Sequence, residues 1–77
     1  MKAYIMLNIR TGEIPQVVGH LRRVTGVLEA NMTFGPYDAV AVVQAENIEA
    51  LGKILSLEIQ PIPGVVHTLT CMAVQLN

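Results

Sequence analysis

Few residues of this chain could do chemistry, and the densest group is Gly35-Pro36-Tyr37-Asp38, near the midpoint of the sequence. A carboxylate and a phenol sit on a tip stiffened by proline, between the alternating run Val27 to Phe34 and the apolar run Ala39 to Ala45. Gly35 can supply a positive φ, Pro36 fixes its own φ, and Asp38 can accept from nearby backbone N–H groups. The pattern predicts a hairpin turn, and it also suits a place where something small is held. The remaining candidates are scattered. His20 falls on the polar face of a predicted helix, and His67 falls early in a predicted edge strand. Neither is brought convincingly to the other or to Asp38, so no nucleophile and base are paired. Neither a Cys-x-x-Cys pair nor a His/carboxylate cluster is present, so no metal and no cofactor is expected. Arg22-Arg23 reads as a solvated helix end rather than a phosphate site.

The single cysteine, Cys71, excludes an internal disulfide and fits a reducing compartment. It lies in an apolar run with no basic neighbour to lower its pKa, and is expected to be a small buried hydrophobe. Five basic residues against six acidic ones give a formal charge of −1, and the basic residues form no stripe along which phosphates could run. Nucleic-acid binding by this chain is therefore not expected. No apolar run approaches the length of a membrane span or of a signal-peptide core, which predicts a cytoplasmic protein with no membrane contact.

The 77 residues allow one small domain, 1–77, that buries only about 60% of the surface its unfolded chain exposes. Because 52% of the chain is hydrophobic and only 14% charged, some of that apolar surface is expected to meet another chain.

The elements that must carry these residues follow from periodicity. Lys2 to Arg10 alternates as a strand, with Ala3, Ile5, Leu7 and Ile9 on one side and Tyr4, Met6 and Asn8 on the other. Ile14, Val17, Val18, Leu21 and Val24 then recur at helical steps, with Thr11 as the expected N-cap, Pro15 in the first turn and Gly26 closing the region. Val27 to Phe34 is a second strand, with Leu28, Ala30, Met32 and Phe34 sharing a face. Ala39 to Val43 has no polar face, as expected of a central strand covered on both sides. Asn47 is the expected N-cap of a second helix with the stripe Ile48, Leu51, Ile54, Leu55 and Ile59. Gly52 within it suggests close packing by a neighbour. Pro61-Ile62-Pro63-Gly64 stops that helix, and Val65 to Leu76 is the last strand.

The order β-α-β-β-α-β predicts an α+β, ferredoxin-like fold: a four-stranded antiparallel sheet with both helices on one face. The other face would be left open. Three of its strands are apolar on both sides, which predicts dimerisation through the sheet as a dimeric α/β barrel.

Two motifs at this spacing carry a resemblance to a known family. Gly35-Pro36-Tyr37-Asp38 with its following apolar strand, and Ile62-Pro63-Gly64-Val65-Val66-His67-Thr68-Leu69-Thr70, resemble the RAM (ligand-binding) domain of Lrp/AsnC transcription regulators. The resemblance covers essentially the whole chain and is strongest to stand-alone versions of that domain. It implies homodimers formed through the sheets, higher oligomers of dimers, and an amino acid-like effector held between dimers beside the hairpin loop. The positions implied are Gly35, Tyr37 and Asp38, with Thr68 and Thr70 matching a T-x-T pattern. Such an effector is a zwitterion. Asp38 could accept from its ammonium group, while the Gly35 and Tyr37 N–H groups or the Tyr37 hydroxyl could donate to its carboxylate; Pro36 has no N–H to give. The purely structural alternative is an Asx-type turn with Tyr37 packed on a neighbouring chain. Regulators of this family carry a helix-turn-helix domain before this module, whereas here the first strand begins at residue 2. The expectation is thus a non-enzymatic effector-binding and assembly module without its own DNA-binding domain, able to co-assemble with a full-length Lrp/AsnC paralogue. The alternative is a small enzyme using a cavity of a ferredoxin-like dimer.

Overall fold

The first strand, β1 (Lys2–Ile9), runs through the middle of the sheet, paired antiparallel on one side with β3 (Ala39–Gln44) and on the other with β4 (Val65–Met72). Strand β2 (Val27–Met32) pairs with the outer side of β3, giving the order β2-β3-β1-β4. This computed structural model describes residues 1–76. The fold is the ferredoxin-like α+β arrangement, and the two most apolar strands, β1 and β3, take its centre.

Residues directly opposite in antiparallel strands point to the same side, so the register sorts the sheet into rows. One side carries Ala39–Leu7–Thr68, Ala41–Ile5–Thr70 and Val43–Ala3–Met72. Helix α1 (Ile14–Leu21) lays Val17, Val18 and Leu21 on these rows. Helix α2 (Ile48–Lys53) and the π-helical segment continuing it, Ile54–Ile59, add Leu51 and Ile59. Both helices therefore lie on one face, and the core is the layer between. Fully burying each such Val, Leu or Ile stabilises the fold by roughly 1.5–3 kcal/mol.

The opposite face carries the rows Asn31–Val40–Met6–Leu69 and Glu29–Val42–Tyr4–Cys71, with no described element of this chain over them. Cys71 is consequently exposed, not buried. Its strand is apolar, but the side of the strand on which it falls faces away from both helices.

Several local expectations are corrected. Helix α1 has Glu13, not Thr11, at its N-cap, and no side chain caps it, because Thr11 and Gly12 form a turn that ends earlier. Strand β2 stops at Met32, and a register shift between Val27 and Glu29 takes Leu28 out of the alternation, leaving it 61% exposed beside Ala30 at 1%. Such an extra residue is a bulge, invisible to a strict period of two. Strand β4 ends at Met72 rather than Leu76. Gly52 has nothing within 4 Å of the place a Cβ would occupy, so no neighbour demands it. Asn47 caps α2 as expected, its side chain accepting from the Ala50 N–H at 2.8 Å. Arg22 is more than a solvated helix end: its Nε donates to the Ala30 carbonyl at 2.8 Å, tying the end of α1 to the outer edge of β2.

Candidate functional site

Residues 33–38 form the loop between β2 and β3, and its conformation is set by hydrogen bonds from inside and outside the hairpin. Within it, the Thr33 N–H donates to the Asp38 carbonyl at 3.0 Å and the Thr33 hydroxyl donates to the Tyr37 carbonyl at 2.8 Å. Gly35 adopts φ +146, which a side chain would disfavour. The rest of the framework comes from the end of β1. The Asp38 N–H donates to the Leu7 carbonyl at 2.8 Å, the Ile9 N–H donates to Asp38 Oδ2 at 2.7 Å, and Asn8 Nδ2 donates to the Pro36 carbonyl at 3.2 Å.

Asp38 is therefore not a local Asx turn. Its carboxylate reaches across to β1 and satisfies the N–H of Ile9, a buried residue, in a charge-assisted bond of the stronger class. The loop is fastened at three consecutive residues, 36, 37 and 38.

What remains uncommitted matters for binding. Among the described residues, the N–H groups of Gly35 and Tyr37, the Tyr37 hydroxyl and Asp38 Oδ1 take part in no intramolecular hydrogen bond. Donors and one anionic acceptor thus lie within four consecutive residues, on a backbone whose carbonyls at 36, 37 and 38 are already occupied. Tyr37 and Asp38 are half-buried.

Thr68 and Thr70 are placed differently. They belong to the outer strand β4, opposite Leu7 and Ile5, on the helix side of the sheet. Strand β1 separates them from β3 and the loop, which at two inter-strand spacings is about 10 Å. Thr68 shares a shallow polar pocket with Gln60 and His67, and Gln60 Nε2 donates to its hydroxyl at 3.3 Å. Within one copy of the chain, then, Gly35, Tyr37 and Asp38 come together, and the two threonines stand apart.

Neither His20 nor His67 is hydrogen-bonded to the other or to Asp38 among the described residues. No group of three or more His, Cys, Asp or Glu is placed to hold a metal ion among them. No helix of the described chain is long and apolar enough to cross a membrane. An exposed ion pair, Arg10–Glu13 at 2.9 Å, lies just beyond β1 and contributes little on its own.

Sequence reasoning missed Asn8, Thr33 and the N–H of Ile9 as the groups that hold the loop. Asn8 left a signal: it is a lone amide in an otherwise apolar stretch from Ala3 to Ile9.

Comparison with known proteins identifies the setting of this loop. Residues 2–76 match the family model described as the Lrp/AsnC ligand binding domain. The chain is 32% identical over 77 residues to the HTH-type transcriptional regulator FL11 of Pyrococcus horikoshii, covering all of this chain and 50% of that protein. The chain spans about half the length of the curated relatives it matches. Among solved structures, TTHA0845 from Thermus thermophilus superposes with a TM-score of 0.93 at 25% identity, covering 99% of this chain and 95% of that one. AsnC of E. coli gives a TM-score of 0.91 at 26% identity, covering 97% of this chain and 51% of that one.

Proposed function

Because this chain belongs to the Lrp/AsnC ligand-binding-domain family, we propose that it is a non-enzymatic regulatory module that binds an amino acid-like effector at the 33–38 loop. The observation that carries this reading is the division of labour within the loop. The Pro36 carbonyl, the Asp38 N–H and Asp38 Oδ2 are spent on fastening it to β1 and the Tyr37 and Asp38 carbonyls on bonds from Thr33, whereas Asp38 Oδ1 and the N–H groups of Gly35 and Tyr37 remain available. A zwitterion presents one cationic donor group and one anionic acceptor group, and the loop offers the complement of each. A rigid loop also loses little conformational freedom when the ligand arrives.

A single loop at the end of a sheet covers only one side of a small molecule. We infer that other copies supply the rest, with the sheet faces opposite the helices joined in a homodimer and the dimers joined further. Thr68 and Thr70 would then contribute from a different copy than the loop they serve. DNA would be reached through a full-length Lrp/AsnC paralogue carrying a helix-turn-helix module, co-assembled through the same surfaces. Support for that route is the chain's near-neutral charge and the absence of a basic stripe along its sequence.

A thermal-shift screen of the proteinogenic amino acids and their close analogues tests the reading. A true effector raises Tm in proportion to the logarithm of its concentration above Kd, by linkage to the native state, and is recovered unchanged. Consumption of the stabilising compound would replace this reading with the enzymatic one.

A further inference from the structure

The peptide units of the 33–38 loop are held unequally. No peptide bond of the described chain is cis, and in a planar trans unit the carbonyl and the N–H point in opposite directions, so a hydrogen bond that holds the carbonyl also fixes the line along which the N–H donates. The unit between Pro36 and Tyr37 is held in this way. Asn8 Nδ2 donates to its oxygen at 3.2 Å, while the Tyr37 N–H at its other edge takes part in no intramolecular hydrogen bond among the described residues. The units between Thr33 and Phe34 and between Phe34 and Gly35 are not held: neither their carbonyls nor their N–H groups have such a partner among those residues. The unit between Tyr37 and Asp38 is engaged at both edges, by the Thr33 hydroxyl at its carbonyl and by the Leu7 carbonyl at its N–H. Of the backbone donors in the loop, the Tyr37 N–H is the one that is both free and aimed.

Asn8 supplies that hold from outside the loop. It is half-buried in β1, on the side of the sheet away from the helices and opposite His67. It is also the one amide between Ala3 and Ile9. The bond to Pro36 is the only hydrogen bond of its side chain among the described residues, so the amide serves the loop and no other part of the sheet. A bond accepted at one edge of a peptide unit also polarises the other edge, which makes the Tyr37 N–H a stronger donor to an anion.

We propose that Asn8 is the positioning residue of the effector loop: through the Pro36 carbonyl it aims the Tyr37 N–H at the carboxylate of the bound amino acid-like molecule. Asn8 itself touches no ligand. This assignment rests on the effector reading and adds to it which donor meets the carboxylate and what directs that donor. With Asp38 Oδ1 meeting the ammonium group, two neighbouring residues read the two charged ends of a zwitterion. Selection for the carboxylate then depends on a side chain of β1 that lies outside the loop.

The test uses Asn8→Ala and Asn8→Leu, with melting curves to verify folding. Leucine keeps the bulk of the side chain without a donor, which separates a packing defect at position 8 from the loss of the hydrogen bond. Without any ligand, both variants should move the Tyr37 amide resonance in spectra of an isotopically labelled sample. The proteinogenic amino acids are then titrated into wild type and both variants, and the decarboxylated amine of each one that binds is titrated beside it. In wild type the Tyr37 amide proton should move downfield on binding, as a new hydrogen bond to an anion requires. Both variants should bind the amino acid about 2- to 10-fold more weakly, the usual net worth of one hydrogen bond between neutral groups. Both should bind the amine, which has no carboxylate, as wild type does. A merely structural fastening would weaken amino acid and amine alike, and that equal loss overturns the proposal. It is also overturned by unchanged amino acid affinity in either variant, or by an amino acid that binds wild type without moving the Tyr37 amide. These three results leave the effector reading standing, whereas a wild type that binds no amino acid refutes that reading and this assignment together.

Discussion

One oxygen of the Asp38 carboxylate fastens the loop, and substitution can separate that role from the proposed contact with an effector. Oδ2 accepts from the N–H of buried Ile9, and Oδ1 has no hydrogen bond among the described residues. Asp38→Asn keeps an oxygen for Ile9 but removes the charge, so effector affinity should fall by about one to two decades, the usual worth of a charge-assisted bond of 1.5–3 kcal/mol. Stability should fall by only about 1 kcal/mol, the difference between a charged and a neutral acceptor. Asp38→Ala strands the Ile9 N–H as well and should cost about 1–3 kcal/mol in a denaturant melt. Calorimetric titration beside the melts distinguishes the roles: equal effector affinity in wild type and Asp38→Asn would leave Asp38 a fastening residue alone. The turn chemistry of Gly35-Pro36-Tyr37-Asp38 was legible in the sequence because it is local. The partner of Asp38 was not, since Ile9 lies far back along the chain and only the β1–β3 register brings it near. Cys71 misled for a related reason: period-two alternation places it on a side of β4 but does not say which side the helices cover.

Among the elements, glycine separates two kinds of position that look alike in sequence. Gly52 stands in α2 with open space around it, and Gly52→Ala should stabilise the protein by up to about 1 kcal/mol, the helix-propensity difference. Gly26 holds a left-handed φ against Ile54, so Gly26→Ala should cost at least roughly 1–2 kcal/mol from the backbone alone. A pair of thermal melts checks both signs. Asn47→Ala removes the side chain that accepts from Ala50 and should cost about 0.5–2 kcal/mol. Helix α2 was readable because its cap and stripe are contiguous, whereas its continuation as a π-helix, with the Gln60 N–H donating to the Leu55 carbonyl at 2.8 Å, has no signature in hydrophobic spacing. Strand β2 shows a second device beyond periodicity. Arg22 occupies the outward carbonyl of Ala30, which blunts an edge that could otherwise recruit another strand.

At the scale of the whole molecule, the order of elements was enough to predict the sheet and the side on which both helices pack. The hydrophobic excess also pointed to an uncovered face, and the rows through Met6 and Tyr4 show which residues form it. Met6 is central there, between Val40 and Leu69, so Met6→Lys should shift sedimentation toward the monomer while leaving the helix-side core intact. An unchanged mass would show that this face does not mediate pairing. The central place of β1 has a further consequence, for time rather than for shape. Ala3 pairs with Met72 and Asn8 with His67, so the first strand of this sheet to leave the ribosome is flanked by the last strand of the sheet. Contacts this distant in sequence close slowly, on the millisecond-to-second side of small-domain folding, because the entropy of closing the long intervening loop is lost before the pairing is gained. During synthesis, one edge of β1 stays open until residues 65–72 emerge, and the apolar strand Lys2–Ile9 must remain unmated on that side while the residues between the two strands are made.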